Sequence, residues 1–349
     1  MRFRSQLANA SIFSKLTASL SSLGKVCWMR LEGGIVRFTI IPDQGTQVWA
    51  QLPVDSIFEE ESYILESNTG VINLEVPIGS LHRALRSAVA SKSANLRLTK
   101  KGNVPLLALT IRATSWTSGS NALGIPENTN TEHPSTTSST ANTNTTTNPR
   151  PSGPRERETV ITQEIPVKVL HESAVEGLHQ PRVRDPDVNI LLPSLIHLKG
   201  ISERFTKLAT ESKTPSSSTT TTASPKLELA ANMHGSLRIS IGTDAFRISS
   251  TWTDLLNPSL DPGQLGQGEL EQLPSERMRG FAADDEAGWA RVRIDGKDWS
   301  RILSVGRLNP RVVASFINET ALVLYVFLPG SWNEEDSCLT YYLNSYAVE

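Results

Sequence analysis

Six histidines are spread along the chain (His82, His133, His171, His179, His197 and His234), and none stands at metal-ligand spacing from another histidine or from Cys27 or Cys338. Gly33-Gly34 separates two apolar runs and is not followed by a helix, so it reads as a hairpin turn and not as a phosphate cradle. No GxxxxGK[ST] loop and no GxSxG elbow occurs. Asp185 and Asp187 flank Pro186 and offer a carboxylate pair of the general-acid type, but they fall where a linker meets a strand. Trp49, Trp252 and Trp299 have the chemistry to stack on bases, yet they lie in apolar runs and read as core. The sequence therefore leads us to expect no catalytic, cofactor-binding or metal-ligating residue, and no enzyme.

The chemistry that remains is the attraction of cations for phosphate. Arg83 and Arg86 lie opposite Leu81 and Leu85 on one helical pattern. Lys199, Arg204 and Lys207 lie away from Ile201 and Phe205 on another, and Lys297 and Arg301 away from Trp299 and Ile302 on a third. Lys15 sits on a fourth pattern, and Lys25 follows it. Outward cations on a single helix are ordinary solvated residues. Carried together on one side of the molecule, they would touch a nucleic-acid backbone without reading its bases. Glu203 and Asp298 dilute the pattern. The formal net charge is −2, which is not that of a uniformly basic DNA binder. A basic face must therefore be local, with the acidic stretch 269–286 elsewhere.

The helices belong to a unit that occurs twice. GIVRFTI (34–40) and GSLRISI (235–241) place Gly, Arg, a large apolar residue, Thr or Ser, and Ile at matching offsets. Each follows an apolar strand, so each reads as a β-hairpin in which Gly supplies a positive φ. Upstream of each lies a helical stripe, Ile12, Leu16, Leu20 and Leu23 in the first copy and Leu195, Leu198, Ile201, Phe205 and Leu208 in the second. Each stripe is preceded by a strand, MRFRSQLA or VNILLP. Downstream, each copy has a second helix, then strand, turn and strand: NLRLTKKGNVPLLALTIRA and RVVASFINETALVLYVFL. The copies are offset by about 200 residues in a chain of 349, a length that suits two domains.

Boundaries follow from composition. Residues 115–157 and 210–225 are nearly pure Ser, Thr, Asn, Pro and Gly, and an acidic, Gly-rich stretch covers 257–287; all three are expected to be insertions, the first of them disordered. The reading is an N-terminal domain over 1–170, a linker over 171–186 and a C-terminal domain over 187–349. The prolines and mixed charge of 167–187 favour extended linker over helix. Cys27 and Cys338 lie in strand-like runs and are expected to be buried reduced thiols of an intracellular protein. No apolar segment is long enough to span a membrane, and the start lacks the apolar stretch of a secretory signal.

Several segments carry a resemblance. MRFRSQL, VWAQLPVDSIFEE, VINLEVPIGSLHRALRSA, ITQEIPVKVL and DPDVNILLPSLIHLKGISERF look like the Hus-type (Mec-type) subunit of the nine-one-one checkpoint clamp, within the PCNA-like sliding clamps. The resemblance covers nearly the whole chain outside the insertions and is weakest in the last third. It implies an α+β fold, a duplicated clamp of two β-sheet domains with two helices each on one face. It further implies a nuclear, non-catalytic DNA-damage checkpoint and repair scaffold that encircles duplex DNA in a heterotrimer with Rad-nine-type and Rad-one-type subunits. ATP would be spent by a separate clamp loader. The channel would be lined by Lys15, Lys25, Arg83, Arg86, Lys199, Arg204, Lys207, Lys297 and Arg301. By analogy, neighbouring subunits would meet at two edge strands, one carrying Leu106, Leu107, Leu109 and Ile111 and the other Phe246, Ile248 and Trp252. Two rival readings stand beside it, a homotrimeric replication clamp and a β-rich adaptor with no DNA role.

Overall fold

A computed structural model describes residues 1–42, 45–116, 156–211, 225–243, 246–258, 273–328 and 338–346. The expectations for 117–155, 212–224 and 259–272 lie outside the described residues.

The N-terminal half begins with β1 (Arg2–Gln6), α1 (Ala10–Ser21) and the strands β2 (Val26–Leu31), β3 (Ile35–Ile40) and β4 (Gln47–Pro53). There follow β5 (Ile64–Glu66), β6 (Ile72–Pro77), α2 (Ile78–Ala88), β7 (Ser93–Lys101), β8 (Val104–Trp116) and β9 (Glu156–Pro166). A short β10 (Lys168–Leu170) and a one-turn α3 (Glu172–Val175) lead to the second half. That half contains β11 (Val188–Leu191), α4 (Leu195–Glu211), β12 (Lys226–Asn232), β13 (Leu237–Gly242), β14 (Arg247–Trp252), a short α5 (Pro274–Arg279), β15 (Trp289–Asp295), α6 (Gly296–Ile302), β16 (Arg311–Ile317), β17 (Ala321–Phe327) and β18 (Cys338–Asn344).

The duplication is legible in the sheets. In the first half, β1-β7-β8-β9 and β6-β2-β3-β4 are hydrogen-bonded runs; in the second, β11-β16-β17-β18 and β15-β12-β13-β14 repeat them strand for strand. The two hairpins first recognised in the sequence sit at equivalent places, Arg30 opposite Arg37 and Ala230 opposite Arg238. Phe38 and Ile40 point into the core, as do Ile239 and Ile241, because alternate residues of a strand face one side of the sheet. The halves join where β4 pairs antiparallel with β18, Trp49 opposite Thr340, which fuses one run from each half into a nine-stranded sheet. A single apolar core extends through both halves.

Polar groups on the helices are satisfied locally. Asn9 caps α1 by accepting from the Ile12 backbone N–H at 3.0 Å, and Asp295 caps α6 by accepting from Lys297 and Asp298. Thr17, Ser202 and Thr206 donate back to carbonyls of the preceding turn, which lets hydroxyls sit on buried helix flanks. Trp299, fully buried, donates from Nε1 to Ser202 Oγ at 3.0 Å and ties α6 to α4.

Several expectations need correction. The positive φ belongs to Gly235 (φ +75) alone, since Gly34 is not left-handed and has open space where a Cβ would stand. Of the three tryptophans read as core, Trp299 is buried, while Trp49 and Trp252 are half-buried. The linker contains regular structure, because β10 adds to β6 and α3 makes one helical turn. Asp187 is held by Arg184 in a two-pronged ion pair at 3.0 and 2.7 Å and accepts the Asn318 N–H, so the carboxylate of the Asp-Pro-Asp turn is structural. Residues 273–287, read as part of a low-complexity insertion, include α5 and the start of a short 3-10 turn. Met278 packs against the core, Phe281 offers its carbonyl to His234 Nε2 at 2.7 Å, and Glu286 pairs with Arg238 and Arg291. Glu286 thus lies over β13 and β15. Cys27 is buried and Cys338 half-buried, both free thiols; burial pushes the Cys27 thiol up to about 12 and raises Cys338, which favours the protonated form of both.

Candidate nucleic-acid interface and open sheet edges

The four long or capped helices touch in series. His82 of α2 donates from Nδ1 to the Ser14 carbonyl of α1 at 3.0 Å. Ser22, just past α1, places its Oγ 3.4 Å from both the Arg301 carbonyl of α6 and Ser304 Oγ. Ser300 of α6 donates to Glu203 of α4 at 2.7 Å. The result is one layer in the order α2, α1, α6, α4, crossing the boundary between halves. Lys15, Lys25, Arg83, Arg86, Arg204, Lys207, Lys297 and Arg301 are exposed on these helices or directly beside them, and Lys199 is half-buried.

Their electrostatic surroundings differ. Lys199 pairs with Glu203 and Lys207 with Glu211, each at 3.8 Å, and Arg301 pairs with Asp298 at 3.1 Å. Burial, with Asp295 close by, holds the Asp298 carboxyl above its usual value, while Arg301 pulls the other way. On the first half, α1 and α2 contain no acidic residue at all, and Arg83 donates to Ser80 at 3.3 Å.

The sheets present six edges among the described residues. Edge β15 is covered: Glu319 and Tyr346 donate to Arg291 and Arg293 carbonyls at 2.7 and 2.8 Å, and Asn318 accepts from the Arg291 N–H. Edge β11 is covered by Leu256, which accepts from the Leu191 N–H at 2.8 Å, and by Asn257, which donates to the Asn189 carbonyl. Edges β5 and β10 are three residues each. The long open edges are β9 and β14. Exposed Val160 and Ile161 lie on β9; β14 has no fully buried residue and carries half-buried Ile248 and Trp252, with half-buried Phe246 just before it.

The expected N-terminal edge was one strand out. Leu106, Leu107, Leu109 and Ile111 lie on β8, which is paired with β7 on one side and β9 on the other, and all four are buried. The geometry of the duplication identifies the real edges. Strand β14 occupies in the second half the place of β4 in the first, and β9 occupies the place of β18. Inside the chain β4 and β18 pair with each other; β14 and β9 are the same two edges, left without a partner strand among the described residues.

Sequence reading also missed a cleft of about 440 Å³ beneath residues 170–180. Trp28, Thr39, Trp49 and Thr340 floor it, Leu178 and His179 wall it, and Gln180 ties the segment to the sheet by donating to the Tyr342 hydroxyl at 2.6 Å. The Trp49 indole N–H is buried there with no acceptor among the described residues. Half-buried tryptophans on the outer face of a strand were the available signal. Among the described residues no cluster of side chains fit for a metal ion occurs, and no helix is long and apolar enough to cross a membrane.

Two tandem modules, each two sheets with two helices, define the class: this is the fold of the sliding clamps. The PCNA of Entamoeba histolytica has it at TM-score 0.56 and 10% identity, with 99% of each chain covered. The PCNA of Thermococcus kodakaraensis has it at TM-score 0.57 and 13% identity, with 99% of this chain and all of the other covered. Within that class the chain belongs to the Hus1-like protein family, whose profile matches residues 1–347. It is 32% identical to the checkpoint protein hus1 of Schizosaccharomyces pombe over 99% of both chains. The human checkpoint protein HUS1 is 23% identical, with 98% of this chain and 99% of that one covered. The resemblance read from the opening and middle segments is therefore correct, and a checkpoint clamp subunit is the function that the family and fold support.

Proposed function

We propose that the chain is a non-catalytic subunit of a heterotrimeric checkpoint clamp that closes around duplex DNA in the nucleus and scaffolds damage signalling and repair. Its two domains would be 1–170 and 187–349, joined by the segment between. The observation that carries the reading is the unmatched pair of edges: a strand equivalent to β4 and a strand equivalent to β18, on opposite halves, each open for a neighbour. Two different neighbours, of Rad-nine type and Rad-one type, would take one edge each. Repeating the internal joint in this way satisfies the open backbone groups and closes a ring instead of a filament.

The helix layer of each subunit then faces the hole, and its cations meet phosphates. Retention is topological, so weak contacts suffice and a net charge of −2 is no obstacle. A separate ATP-dependent loader would open the ring. Membership of the Hus1-like family weighs against the homotrimeric replication clamp, and the duplicated clamp architecture weighs against an adaptor with no DNA role.

Co-expression with candidate Rad-nine-type and Rad-one-type subunits, followed by native mass measurement, tests the assembly. A complex with one copy of each chain is expected. A ring made of this chain alone, or no association, contradicts the reading.

A further inference from the structure

The cations of the helix layer are distributed unequally in a way that the duplication alone does not require. Lys15, Lys25, Arg83 and Arg86 of the first half have no carboxylate partner among the described residues, and their helices carry no acid. Of the five channel candidates on the second half, three hold a carboxylate within 3.8 Å: Glu203, Glu211 or Asp298. Such exposed pairs contribute little to folding, on the order of 0–1 kcal/mol each. Their effect on a passing phosphate is larger. A carboxylate 3 to 4 Å from a cation lies well inside the Debye length of about 8 Å at physiological salt, so phosphate meets a near-neutral pair instead of a charge.

Resting on the clamp reading above, we infer that the two halves of this subunit divide the work at the channel wall. The N-terminal half grips the DNA backbone, and the C-terminal half is a deliberately weak surface over which the duplex slides. The acids on α4 and α6 set that weakness. Their placement at i+4 or i−3 from the cations keeps them on the same helix face. A strongly basic wall all round would raise affinity and slow movement along DNA; an acid-tempered half lowers the number of counterions released per encounter without opening the ring.

The experiment uses the assembled heterotrimer and a blunt duplex, with the slope of log affinity against log salt as readout. Each phosphate contact adds about 0.9 to that slope on duplex DNA. Replacing Lys15, Lys25, Arg83 and Arg86 by Gln is expected to lower the slope by about 3 to 4. Replacing Lys199, Arg204, Lys207 and Arg301 by Gln is expected to lower it by about 1. Glu203→Gln with Glu211→Gln should steepen it by about 1 to 2 and tighten binding several-fold at low salt. Equal losses from the two cation sets, or no gain from the acid-to-amide pair, overturn the division of work. A wild-type heterotrimer that is not retained on a closed circular duplex after loading contradicts the clamp reading itself, which separates the two failures.

Discussion

Gly34 and Gly235 stand at the same place in the two copies of the repeat, yet only one of them has to be glycine. Gly235 has φ +75, and a Cβ there would lie 2.3 Å from the Leu255 carbonyl oxygen, a backbone atom that cannot swing away. Gly235→Ala should cost about 2–4 kcal/mol, combining left-handed strain with displacement of the Leu255 backbone just past β14. Gly34→Ala should change stability by less than about 1 kcal/mol. Urea midpoints of the two variants decide this; equal midpoints would show that the turns are interchangeable. Trp299→Phe keeps most of the ring but removes the N–H that reaches Ser202, and should cost about 1–2 kcal/mol with the native fold retained. The cations were readable in the sequence because helical period and polar type suffice to find them. Which cations are paired was not readable in full: Glu203 and Asp298 were visible as diluting charges, but distances of 3.1 to 3.8 Å come only with rotamers.

At the level of elements, the account depends on β9 being an open edge. Val160 and Ile161 are 58% and 39% exposed, unusual for β-branched residues in a long strand unless another surface covers them. Val160→Glu with Ile161→Glu should leave the free chain's stability within about 0.5 kcal/mol, because both residues are already exposed. The same change should abolish capture of one partner subunit while sparing the other, as read by pairwise pull-down. Loss of both partners, or of neither, contradicts the edge assignment. The duplication, the helices and the hairpins were legible because their periods are strong and repeated. Strand β9 was not, since Thr162, Gln163 and Glu164 break its apolar alternation and residues 117–155 separate it from β8; the edge was consequently placed one strand early, on a run whose uninterrupted apolar residues in fact mark a strand buried on both sides. Helix α5 and the short 3-10 turn after it were missed because acidic and Gly-rich composition outweighed two apolar anchors, Met278 and Phe281, in the reading.

For the molecule as a whole, charge and fold point in different directions until topology reconciles them. A chain of net charge −2 would hold DNA poorly by attraction alone. Twofold internal repetition with one joint made and one left open gives a different way to hold it, by enclosure. The central claim is therefore that retention depends on a closed ring and not on affinity. Its most direct test loads the heterotrimer containing this chain onto a nicked circular duplex, washes with high salt, and then linearises the DNA. The account predicts that the complex stays on the circle through the wash and leaves when an end is cut; release from the intact circle by salt, or persistence on linear DNA with free ends, would contradict it.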